Sequence, residues 1–265
     1  MSVTSFVANP SLYGILLSIL FGIIWLVPLK VWKWRGRWLW LGIAGVILFA
    51  PSIAWVQVPI QSAITQAFMS YFGRETINRQ ILWLGLPIII TSGLVQELAK
   101  LLPVIIYRVL HRNPLSPVQG ISAGAITGAG YGVFESQWAL NSIFASGWTL
   151  GFYQIYGISA FLGFWERFFT TGFHIATASL LGYGLAQGKA WQFYLIAVAL
   201  HSMINYCAVL LQRGIMSALQ VEILIAFMTT VLIVVITRIY FKHQKEATVG
   251  SGIQSLVPPS SAPSP

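Results

Sequence analysis

The chain has 265 residues, of which 57% are hydrophobic and only 8% charged, with 15 Lys plus Arg against 6 acids. A water-facing domain carries roughly 25% charged residues, so a soluble enzyme, a disordered chain and a disulfide scaffold are all excluded. The net charge of +9 is dispersed at the ends of apolar runs, where the positive-inside rule places it, and does not describe a nucleic-acid-binding patch.

The fold class expected is all-α, a polytopic helical membrane bundle of about seven spans. A span needs about 20 mostly apolar residues. In chain order the candidates are 11–29, 38–60, 81–107, 118–140, 167–187, 190–212 and 218–240. No Lys or Arg occurs before residue 30, so the first run lacks the basic start of a signal peptide and reads as a retained span. Residues 150–165 are short, aromatic and interrupted by glycines; they read as an eighth span, or as an interfacial helix lying over a site as a lid. The single cysteine, Cys207, falls inside an apolar run as a packing residue.

Charge bias chooses between seven and eight spans. With seven and the N-terminus outside, the inside holds Lys30, Lys33, Arg35, Arg37, Arg108, Arg112, Lys189, Arg238, Lys242 and Lys245. An eighth span would export the last three, against the rule. The expectation is a multi-pass cell-membrane protein, N-terminus outside and C-terminus cytoplasmic. Its helical domain covers 1–246, and a disordered Ser/Pro-rich tail covers 247–265.

The fourth span carries Gly120, Gly124, Gly128 and Gly132, each four residues apart, with Ser136 continuing the row. Small residues on one helix face let a neighbouring backbone approach closely. Any polar residue on that helix is therefore held in a crowded setting.

A charge at the bilayer centre costs on the order of 2.5–3.5 kcal/mol on insertion scales. Glu97, Glu135, His174, His201 and Asn205 nevertheless fall at membrane depth. At 1.5 Å of rise per residue, the seven-span arrangement places all five within a slab of roughly 15 Å. Lys100 is one turn from Glu97 and can pair with it, and Asn205 shares a face with His201. Arg167 shares a face with His174 and pairs with Glu166 at the outer edge, while Glu222 reads as solvated at the outer interface. His111 and His243 fall in basic loops.

Each of these residues also has a bland reading, as an ion pair or a packing histidine. Their common depth is what argues for a site. Two Glu, two His and an Asn suit hydrolysis, with a carboxylate as base for a water, imidazoles to move protons or hold a metal, and an amide to stabilise an oxyanion. They equally suit proton or cation translocation. Composition does not separate the two.

At these residues the chain resembles the intramembrane proteases of the CAAX-protease, PrsW and YhfC-like superfamily. The resemblance runs from about residue 91 to 210, through VQELAK (95–100), GAGYGVFES (128–136), ERFFTTGFHIATASLLGYG (166–184) and HSMINY (201–206). The Glu-Arg start of the third block and the GYGVFE run lean toward the YhfC-like branch. The resemblance implies a membrane-embedded endopeptidase acting on membrane proteins or peptides. Glu97 would be the acidic-motif carboxylate, and His174 and His201 the catalytic or metal-binding imidazoles. Asn205 would stabilise the oxyanion, Glu135 would be a further acid, and Lys100 and Arg167 would support them. It allows a glutamate-type enzyme or a zinc enzyme whose metal is held by Glu135, His174 and His201. One departure stands out: where the family commonly has two adjacent glutamates, this chain has Gln96-Glu97. An amide cannot take a proton from water, so a non-catalytic, immunity-type peptide binder is one alternative and a proton-coupled transporter another.

Overall fold

The computed structural model describes residues 10–31, 38–111 and 114–256, the side chains of 111 and 250–256 excepted. Lys33, Arg35, Arg37 and Arg112, four of the cations expected inside, lie outside the described residues, as does the end of the expected tail at 257–265. Helix α1 spans Leu12–Leu26, started by Ser11, whose hydroxyl accepts from the Gly14 N–H. Helix α2, Leu39–Pro51, runs through a π-helical turn at Ser52–Gln57 into α3, Val58–Arg79. The π turn follows Pro51, which has no N–H to give the regular ladder.

A short helix α4, Ile81–Leu84, leads into α5, Leu86–His111. Helix α6, Pro117–Ala145, begins with a capping box in which Ser116 and Gln119 satisfy each other's backbone N–H groups. Then come α7 (Phe152–Tyr156), α8 (Leu162–Ala186), α9 (Ala190–Gln212) and α10 (Ala218–Leu256). Among the described residues there is no strand, and seven helices are long, five of them apolar enough to cross a membrane. The molecule is a multi-pass helical membrane bundle.

Two expectations change, and the alternative of an eighth span falls away. The second span does not stop near residue 60 but continues as an exposed helix to Arg79, broken at Gly73, whose φ is +74°. Residues 150–165 form no eighth span. The chain there makes α7 and a 3₁₀ turn at Gly157–Phe161, held by the Trp148 indole N–H donating to the Ala160 carbonyl. The last helix runs on to Leu256, so His243 is helical and not in a loop, 2.9 Å from Glu246.

The two long helices absent from the set apolar enough to cross a membrane are α6 and α8. They form the centre, antiparallel along the glycine row. A methyl added at Gly120, Gly124 or Gly128 would run into the carbonyl of Gly182, Ala178 or His174. Farther along, Ser136 meets the Thr171 hydroxyl at 2.6 Å. On its other side α6 takes the α2 backbone at Gly42 against Gly130. A helix surrounded by protein does not need the apolar surface that lipid demands, which is how Gly, Ser and Thr come to fill the middle.

Candidate functional site

Four helices bring their polar residues together. Glu97 and Lys100 lie one turn apart on α5 and are both 0% exposed, with the ammonium Nζ 2.6 Å from Glu97 Oε1. The same ammonium donates to the Thr177 hydroxyl at 2.9 Å and lies 3.1 Å from His174 Nδ1, both on α8. An ammonium has three N–H donors, and here each has an acceptor. The Tyr131 ring face adds a cation–π contact at 5.8 Å from Nζ to its centroid.

These contacts fix the ring protons. Lys100 can only donate, so His174 Nδ1 accepts and Nε2 carries the hydrogen. That nitrogen faces Glu135 Oε2 at 2.8 Å, an oxygen whose second lone pair can take a further donor. The other histidine is arranged in the opposite sense. His201 Nδ1 is 2.6 Å from Glu97 Oε1, and a carboxylate only accepts, so Nδ1 carries the proton and Nε2 keeps its lone pair. The two imidazoles sit with ring centroids 5.6 Å apart.

A cavity of about 320 Å³ opens between the starts of α8 and α10 and the ends of α6 and α9. His174, His201, Glu135 and Asn205 line it; Glu97 and Lys100 do not. The structure thus separates the two carboxylates that the sequence offered as equals. Glu97 stands behind His201 as an inner partner, whereas Glu135 faces the cavity and is bridged at 3.4 Å by Arg167, which also bonds Glu166.

Asn205 donates one amide N–H to Ser92 Oγ at 3.0 Å, leaving the second free to act. Gln96 is buried away from the cavity and donates to Ser92 Oγ and to Gln57 Oε1, each at 3.0 Å. The position where a glutamate was missed is therefore part of a neutral scaffold that reaches the π turn. None of residues 150–165 lines the cavity, so the lid expected there is not formed.

Glu222 corrects another expectation. It is not solvated but 8% exposed, lines the cavity, and has an Oε2 with no hydrogen-bond partner. Its place at the start of a span hid it in the sequence.

The donor chemistry of Glu135, His174 and His201 would suit zinc, but their arrangement does not. Among the described residues no three His, Cys, Asp or Glu side chains are placed to hold a metal. Lys100 directs the His174 lone pair away from Glu135, and Glu97 occupies His201 Nδ1.

The fold and this buried centre define a membrane-embedded protein with a polar cavity lined by carboxyl and imidazole groups. Residues 132–226, from the last glycine of the row into α10, match the model of the YhfC intramembrane metalloprotease family. That stretch is similar to a family of membrane proteases and contains Glu135, Arg167, His174, His201, Asn205 and Glu222, in agreement with the YhfC-like resemblance. No curated protein and no solved structure matches the chain.

Proposed function

We propose that the protein is an intramembrane endopeptidase in which His201, oriented by Glu97, takes the proton from the attacking water. The observation that carries this reading is the 2.6 Å contact from His201 Nδ1 to Glu97 Oε1, behind a ring that lines the cavity. A carboxylate on Nδ1 holds the tautomer whose Nε2 is basic and stabilises the imidazolium as it forms. The water oxygen bonds to the peptide carbonyl carbon while its proton passes to Nε2. The free Asn205 amide N–H donates to the oxyanion. The imidazolium then returns the proton to the leaving amine as the C–N bond breaks. Glu135, whose side chain lines the cavity and is 25% exposed, accepts from the water's other hydrogen and orients it.

The test is cleavage of a membrane-anchored reporter by the purified protein. His201→Ala and Glu97→Ala are expected to abolish turnover, and cleavage at the parent rate by both would sink the reading. Metal analysis of the same preparation checks the chemistry. Zinc at one equivalent in the parent, lost in the His174→Ala/His201→Ala double variant, would replace the imidazole-based step with a metal-based one.

A further inference from the structure

The cavity is lined by more carboxyl groups than this reaction uses. Glu135, Glu166 and Glu222 line it, and Arg167 is the one Lys or Arg among its lining residues. Arg167 is already engaged by Glu135 and Glu166. Glu222 remains, nine-tenths buried on the second turn of α10 and lining the cavity, with an Oε2 that has no hydrogen-bond partner. Its backbone is fixed from across the gap by the Trp165 indole N–H, which donates to the Glu222 carbonyl at 3.3 Å.

Burying a carboxylate is costly unless a cation or donors compensate it; among the described residues none donates to Glu222 Oε2, and the nearby cation, Arg167, is bonded to Glu135 and Glu166. The described acids and imidazoles form no metal-holding trio, which favours an organic cation over a divalent ion. The cavity runs without interruption from Glu222 to His201, so a ligand that fills it carries its cation close to the reacting bond. A peptide with a basic side chain has that form.

We propose that Glu222, seconded by Glu166, receives a lysine ammonium or arginine guanidinium of the substrate. The site would then select segments with a basic residue near the cleaved bond. This rests on the peptidase reading, but it is tested by binding as well as by cleavage.

The experiment uses the full chain in phosphatidylglycerol nanodiscs and three fluorescent apolar peptides that differ at one residue, Lys, norleucine or Glu. The Lys peptide is expected to bind about tenfold tighter than the norleucine peptide. That preference should vanish in Glu222→Gln, weaken in Glu222→Asp and shrink less in Glu166→Gln. Equal binding of the Lys and norleucine peptides to the parent overturns the proposal. So does an undiminished preference in a Glu222→Gln protein that unfolds at the parent temperature. If that variant does not fold, an undiminished preference in Glu222→Asp overturns it instead.

Repeating the measurement in phosphatidylethanolamine nanodiscs separates peptide from lipid. Loss of the preference there assigns the site to a headgroup amine and overturns the peptide assignment. The His201→Ala protein is expected to keep the preference while losing cleavage. A parent that binds selectively but cuts no reporter would therefore refute the peptidase reading alone.

Discussion

The site contains two carboxylate–imidazole pairs built in opposite senses. Glu97–His201 is the inner pair: its acid has no exposure, and its positive partner, Lys100, comes from the same helix. Glu135–His174 is the cavity pair: its acid is 25% exposed, and its positive partner, Arg167, comes from another helix. The proton arrangement differs with them. One imidazole turns its N–H inward and offers a lone pair, whereas the other turns its lone pair inward toward Lys100. A carboxylate behind a ring makes the ring a base, and one in front of it takes up the donor, so the same residue types at the same depth need not share a role.

The most damaging way to break this comparison is at the inner acid. Glu97→Gln leaves the shape intact but favours the wrong His201 tautomer, and turnover of the reporter should fall about 10³–10⁴-fold. Combining it with His201→Ala should add little, because the two act as one unit. Lys100 is shared by both pairs. Lys100→Met strands Glu97 without its cation, and thermal unfolding should show a loss of about 3–5 kcal/mol. The Glu97→Gln/Lys100→Met double variant should be less destabilised than the two single losses summed, which a double-mutant cycle measures. At the cavity pair the effect is smaller: Glu135→Gln removes one acceptor for the water, worth roughly tenfold in kcat. Smallest is Gln96→Glu, which restores the glutamate of the resembled motif. Because that side chain faces Gln57 and Ser92, turnover is expected not to rise, and a clear gain would move the base from His201 to position 96.

Much of this arrangement could be read from the chain alone. The four-residue glycine spacing identified the face of α6 that meets α8, and the three-residue step from Glu97 to Lys100 identified their ion pair. Depth grouped the histidines with the acids, since helical rise is regular enough to compare spans. Depth does not say which imidazole meets which acid, because rotation about each helix axis is set by packing. Glu222 was missed because residues near the ends of spans look interfacial. It is buried where the start of α10 packs beside the start of α8, whose Trp165 bonds the Glu222 carbonyl. Gln96 looked like a lost catalytic acid, but it sits one residue before Glu97, turned into a neutral amide network whose other end is the π turn, a feature without a periodic signature.

The placement of the counter-charges also bears on how the bundle is made. Helix α5 brings Glu97 and Lys100 together on one turn, so it can enter the bilayer as a nearly neutral segment before any other part of the site exists. The central helices have no such independence. Neither α6 nor α8 is among the five helices most suited by composition to cross a membrane, Glu135 on one finds Arg167 on the other, and Gly120, Gly124 and Gly128 meet the α8 backbone. Biogenesis of this protein therefore depends on α6 and α8 settling as a hairpin, joined by the α7 segment, which keeps both helices close while their charges and backbones meet.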